Sequence, residues 1–460
     1  MRVSRLTGFV PQDGVAVAAL VLLTWAIVFG GASRVHEFRL ALVELAALPV
    51  AVAAGFALLK PIDLARHRLA FIIVACTAAL PLLQLLPLPP AIWSSLPGRD
   101  QEALALEVVG LSQGWLPISL TPDRTWRSFL AVLPPLAMFL ALVAVRPQSP
   151  RIMVPALLIL TLLSICLGAA QMASGGVALY PWATTGPGSM TGFFANRNHL
   201  ATLCLLSVPF AAVWGASALR RGGPEARVRL WLSAVYVALV VIAIAVIRSR
   251  AGVVLIGPVL GASLLAVWVA AGRGAPRPAL LALVGGVGLA LAAVGVLALA
   301  PLLDRFDTQG AREGRFENWP LVMEAANTHL PLGSGLGSFD AVFRSVEPLE
   351  SLDPTFFNQA HNDYIESWLE TGWFGPALLV AFLIWFGRRS WTAWRADATR
   401  ARDLQRAATI AIGVVLVHSA VDYPIRTAAI ATVFALCCGL LELAVRSDVE
   451  LGANGRRRRG

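Results

Sequence analysis

Charge is scarce in this 460-residue chain: 14% of its residues are Asp, Glu, Lys or Arg, against 57% that are hydrophobic. Soluble domains carry roughly 25% charge, and a chain this apolar could hardly stay in solution, so the water-soluble globular classes are excluded. Cysteine is also sparse. All five (Cys76, Cys166, Cys204, Cys437, Cys438) fall in apolar runs and read as small apolar residues, which argues against a disulfide framework, a zinc site or redox chemistry. Within those runs ionisable residues are nearly missing, Glu44 and His418 being the main exceptions, and no internal repeat is visible. A secondary transporter would carry such groups near the bilayer midplane, between two related halves.

What is present is a series of long apolar runs. Crossing a hydrocarbon core of roughly 30 Å takes about 20 mostly apolar helical residues, because a helix satisfies its own backbone where water is absent. Twelve runs qualify, at about 15–31, 40–59, 69–88, 128–145, 152–172, 199–219, 230–247, 251–271, 279–301, 373–387, 406–424 and 427–445. The expected fold is therefore all-α, a polytopic membrane protein of about 12 transmembrane helices. The first run lacks the small-residue cleavage site of a signal peptide and is followed directly by others, so it reads as a retained span.

Orientation follows from the basic residues, which resist translocation. Twelve spans beginning inside leave 24 of the 37 Lys and Arg residues on alternate, short inner loops and at both ends, including Arg388–Arg406 and Arg456–Arg459. Both termini should then be cytoplasmic. The net charge of +10 is largely this topology signal and needs no nucleic acid to explain it.

The outer segments are longer, roughly 89–127 and 302–372, with an intermediate one at 173–198. The largest carries helix-like stretches at about 316–328 and 361–370, separated by Gly333-Ser334-Gly335-Leu336-Gly337, and should form a small folded cap. The chain thus divides into N-terminal spans (1–150, with loop 89–127), a central region (185–375) and C-terminal spans with a basic tail (376–460).

Four outer segments concentrate polar groups: Gly192–His199, with Asn196, Arg197, Asn198 and His199; Arg248-Ser249-Arg250; Arg312–Trp319, with Arg315; and His361-Asn362-Asp363-Tyr364. Arginines at a membrane interface without matching acids imply an anionic partner, because guanidinium forks bind phosphate oxygens bidentately. A lipid diphosphate fits. Bland explanations compete at each position: headgroup snorkelling for Arg248 and Arg250, helix capping by Asn196 or Asn198 around Arg197, and pairing with Glu313 or Glu317 or stacking on Trp319 for Arg315. From His361 onward, Asn362, Glu366 and Glu370 recur every four residues as one polar stripe of a helix ending at Gly372. His361, at its first turn, would be kept a neutral base by the helix N-terminus and nearby arginines, or would simply cap the helix.

These pieces together resemble the O-antigen ligase and polymerase superfamily of bacterial envelope enzymes. The resemblance lies in Gly192–His199 (GFFANRNH), Arg250-Ala251-Gly252, Arg315 with Trp319, Gly333–Phe339 (GSGLGSF), Ala360–Gly375 (AHNDYIESWLETGWFG) and Asp422-Tyr423-Pro424, in the expected order over about 185–430. It implies a GT-C-like glycosyltransferase of the bacterial inner membrane with a periplasmic active site. Such an enzyme moves a glycan from undecaprenyl diphosphate to an acceptor hydroxyl with inversion and without a metal or other cofactor. The acceptor is a lipid A core sugar, a second lipid-linked glycan, or a protein hydroxyl as in a protein O-oligosaccharyltransferase. By resemblance His361 is the catalytic histidine, while Arg315 and either Arg248 or Arg250 bind the donor diphosphate. Arg197, Asn196, Asn198, His199, Asn362, Glu366 and Trp319 would line the substrate site. A non-enzymatic glycan or lipid transporter is the alternative from another class.

Overall fold

A computed structural model describes residues 12–32, 37–59, 64–145, 152–174, 188–219, 223–271, 314–351 and 357–443, with isolated positions at 179, 285 and 288. The described residues are mostly helical. In chain order the first helices are α1 (Gln12–Phe29), α2 (Glu37–Leu58), α3 (Leu64–Gln84), the short α4 (Pro90–Trp93) and α5 (Asp100–Val108), α6 (Pro122–Ala131), α7 (Leu133–Ala144) and α8 (Met153–Ala173). They are followed by α9 (Arg197–Leu219), α10 (Pro224–Ile247), α11 (Arg250–Ala271), α12 (Gly314–Thr328), α13 (Phe339–Val346), α14 (Asp363–Thr371), α15 (Phe374–Arg395), α16 (Arg400–His418) and α17 (Ala428–Glu442).

Seven of these stretches are long and apolar enough to cross a membrane, and α17 and most of α1 are shorter apolar helices. The protein is an all-α polytopic membrane protein. The expected run at 279–301 lies outside the described residues. Pro49, Pro81, Pro209 and Pro258 sit inside long helices, which is tolerated where neighbouring helices satisfy the freed carbonyls.

α9 is the axis of the bundle: 83% of its apolar stretch is buried, against 22–39% in the six other long spans. Their lipid-facing sides carry exposed Val52, Trp231 and Trp268. In water such side chains would drive association; here they suit hydrocarbon. Small residues let α9's neighbours approach closely. A Cβ added at Gly252 of α11 would stand 3.1 Å from that of Ala201, and one at Gly215 would meet the Ser233 side chain of α10 at 2.5 Å.

Several boundaries shift from their expected positions, as where the run expected at 373–387 continues as a helix to Arg395 and the one expected at 406–424 is a helix over Arg400–His418, and two of the shifts share a physical reason. α3 stops at Gln84 rather than continuing to 88, because Gln84 turns into the cap: its side-chain amide donates to the Glu370 carbonyl (2.8 Å) and accepts from the Leu336 amide (3.0 Å). The span expected from 128 begins at Pro122, because its first turns are bound to the cap. There Thr125 donates to the Leu336 carbonyl (2.7 Å) and Arg124 pairs with Asp340 (2.9 Å).

The cap has its own apolar core of Val322, Ala325, Ala326, Phe339, Val342, Phe343, Ala360 and Leu369. Beside it, a two-stranded ribbon pairs Pro87 with Pro117 and Leu88 with Leu116. The Gly-rich run threads between cap and bundle with positive φ at Gly333, Gly335 and Gly337. At Gly335 only glycine fits, since a Cβ would lie 2.4 Å from Ser119 Oγ at a φ of +103°.

Candidate functional site

The start of α9 and the end of α16 meet below the cap, and Asp422, in the turn after α16, is the hub. It is buried, and its carboxylate accepts from Asn198 Nδ2 (2.8 Å) and the Tyr423 amide (3.0 Å), with His361 Nδ1 at 3.3 Å. His418 Nε2 stands 3.8 Å away, and its Nδ1 lies 2.9 Å from Thr202 Oγ1. Burial opposes ionisation of Asp422. The hydrogen bond from His361 and the surrounding imidazoles outweigh it, so the carboxyl is held well below its usual range. An ionised carboxylate can only accept, so His361 Nδ1 is the donor and the lone pair of the neutral ring lies on Nε2.

His361 adopts the left-handed conformation (φ +50°), uncommon for a residue with a Cβ. Both flanks are clamped. On one side the Ala360 amide donates to Glu366 Oε2 (2.8 Å) and its carbonyl accepts from Trp319 Nε1 (2.8 Å). On the other, Asn362 caps α14 by accepting from the Tyr364 and Ile365 amides. The ring of His361 lies between Phe357 and Tyr423, at centroid separations of 5.8 and 4.9 Å, and Tyr423 also meets His199 edge-on at 5.3 Å. The cap at α14 is therefore Asn362, and His361 precedes the helix in a strained, over-determined position.

Behind this loop Arg426 pairs with Asp363 (3.3 Å), Glu366 (3.0 Å) and Glu370 (2.9 Å). Burial penalises its charge, but the three carboxylates hold the guanidinium protonated more firmly than usual. Burial likewise raises the Asp363 carboxyl, against the pull of Arg426 and the hydrogen bond from Ser419. Glu370 also accepts from the Gly337 amide (2.9 Å), tying the Gly-rich run to α14. The polar stripe is thus internal: Glu366 and Glu370 are wholly buried and brace the His361 loop. Trp319, through Ala360, does the same.

Of the expected arginines, Arg197 opens α9 and Arg250 opens α11, both half-buried, while Arg248 is exposed at the left-handed end of α10 (φ +56°). The Gly252–Ala201 approach places the start of α11 beside the residue preceding Thr202, so Arg250's helix start adjoins the Asp422 cluster. Arg315 lies in α12, one turn before Trp319; its side chain is outside the described residues. Asn196 accepts from the Asn198 amide (2.9 Å) as the cap of α9. His199 is buried, with Nδ1 2.9 Å from Thr427 Oγ1. Among the described residues, no three His, Cys, Asp or Glu side chains group as a metal site.

Sequence reasoning counts Asp422-Tyr423-Pro424 among the resembling pieces but gives Asp422, His418 and Arg426 no role in the site. The available signal was weak: His418 and Asp422 are four residues apart at the end of an apolar run, with a lone arginine four residues further on.

Residues 235–380 match the family model described as O-antigen ligase. That stretch contains Arg248, Arg250, Arg315, Trp319, His361, Asn362 and Glu366. No curated protein matches the chain.

Proposed function

We propose, for a chain that belongs through residues 235–380 to the O-antigen ligase and polymerase family, that it is a glycosyltransferase of the bacterial inner membrane. It moves a glycan from an undecaprenyl-diphosphate donor to an acceptor hydroxyl at the periplasmic face. The observation that carries this reading is the His361–Asp422 contact (3.3 Å) at the bundle end where the arginine-bearing starts of α9 and α11 adjoin. The twelve-span, GT-C-like architecture with cytoplasmic termini belongs to the same reading.

In the proposed reaction the acceptor oxygen attacks the anomeric carbon while its proton passes to His361 Nε2. The bond from that carbon to the phosphate oxygen breaks, and the diphosphate leaves with the electron pair, so configuration inverts. Asp422 orients the ring and stabilises the imidazolium that forms. Guanidiniums of Arg250 and Arg315, with Arg197 at a helix N-terminus, offset the charge developing on the leaving diphosphate. The acceptor is a lipid A core sugar or a second lipid-linked glycan; comparing lipopolysaccharide, exopolysaccharide and glycoproteins of a deletion strain distinguishes these from a protein acceptor.

Donor binding and single-turnover transfer by purified protein test the assignment. His361→Ala should abolish transfer while donor still binds, because it removes a base and no phosphate contact. Arg315→Lys keeps the charge but loses the bidentate fork, so donor binding should weaken with turnover. Near-normal turnover by His361→Ala refutes the mechanism.

A further inference from the structure

At the other end of the bundle from His361, a cavity of about 260 Å³ is lined by Arg66, Arg389, Thr392, Arg402 and Leu441. These come from the ends of α3, α15, α16 and α17. From Arg402 to His418, α16 rises about 24 Å, so the cavity lies at the opposite membrane surface and takes no part in the chemistry above. Burial, and after it the charges of Arg66, Arg406 and Arg389, lower the hold of Arg402 on its proton.

Those arginines are built in. Arg66 donates to the Leu443 carbonyl (2.7 Å), Arg389 Nε to Glu442 (2.9 Å), and Arg402 to the side-chain oxygen of Gln405 (2.8 Å). Gln405 is in turn fixed to carbonyls at the end of α17. Three cations therefore line a cleft in which Glu442, shared with His67 and Trp385, is the acid in direct contact with one of them. Such a cleft is preorganised for an anion with several oxygens.

Arg389 spends Nε and Nη2 on Glu442 and the Arg66 carbonyl, so we infer that this cavity binds a phosphate group through the remaining guanidinium N–H groups of Arg66, Arg389 and Arg402, with Thr392 and Leu441 against the ester arm. A cleft between helix ends at a membrane surface is within reach of anionic phospholipid headgroups, and a soluble phosphate would be recognised by the same chemistry.

The test is titration of delipidated, full-length protein in neutral detergent with phosphatidylglycerol, phosphatidylcholine and inorganic phosphate, read by native mass spectrometry. Phosphatidylglycerol should bind at least about tenfold tighter than phosphatidylcholine if the source is a lipid. If inorganic phosphate instead binds and displaces phosphatidylglycerol, the source is soluble. In either case Arg402→Gln should weaken binding about tenfold or more, the factor expected for one charged hydrogen-bond donor. Thr392→Trp, which fills the cleft and keeps every charge, should do the same and decides the matter should Arg402→Gln not fold. Absence of binding by both phosphatidylglycerol and phosphate, or unchanged affinity in either folded variant, overturns the inference.

Discussion

Replacing Asp422 by Asn separates the base from the group that orients it. In the native protein the carboxylate receives three hydrogen bonds, from Asn198, Tyr423 and His361. An asparagine offers one oxygen and one NH2 in the same space. If its oxygen stays on Asn198, its NH2 faces His361 Nδ1, which must become an acceptor. The ring proton then sits on Nε2 and the base is blocked. If the oxygen stays on His361, the tautomer survives but the charge that stabilises the imidazolium is gone. That second case loses one charge-assisted hydrogen bond, about 1.5–3 kcal/mol, or roughly 10- to 100-fold in turnover. The first costs more, on the order of 10⁴-fold by analogy with the wrong-tautomer triad. The assay is single-turnover transfer beside donor binding, between pH 5 and 8. Asp422 is ionised throughout that window because its folded-state pKa is depressed, so titration of Asp422 itself contributes nothing to the pH dependence of the deficit. Turnover within twofold of wild type, or a parallel loss of donor affinity, would show that the His361–Asp422 contact is not part of the base.

Asp422 should also mark acid stability. Its folded pKa lies below the unfolded value of about 3.9, so its contribution is present above that pH and is lost as the pH falls below it; thermal unfolding of wild type in detergent should therefore weaken more steeply from pH 5 to 3 than that of Asp422→Asn. Glu370→Gln leaves the half-buried Arg426 with two of its three carboxylates and weakens the tie to Gly337; a loss of about 1.5–3 kcal/mol, that of one charged hydrogen bond, is expected, read as a lowered melting temperature and easier proteolysis of the cap. Orientation is checked by labelling single cysteines with an impermeant reagent: one at Leu349, an exposed cap position, should react from the periplasm, and one at the exposed Asp397, between α15 and α16, should not. Ser338, at the Gly-rich run, is buried and a poor place for the label.

Most of the bundle was legible in the sequence, because a helix bathed in hydrocarbon must be apolar on every face over about 20 residues, and that signal is local. Local too was the outer helix after His361, announced by Asn362 and the Glu366–Glu370 spacing. The stripe's partner was not legible. Spacing identifies residues that share a helix face but not what that face meets, and tertiary packing turned Glu366 and Glu370 inward onto Arg426, far along the chain. Asp422 is the sharper case. It lies 61 residues from His361 and 224 from Asn198, and its carboxylate acquires meaning only because the start of α9 and the end of α16 lie at the same depth. Apolarity alone thus determined that this chain spans a membrane and, roughly, where the seven long apolar helices among the described residues run. Only the packing of small residues along α9, which lets those helices close on one another, decided which polar ends meet.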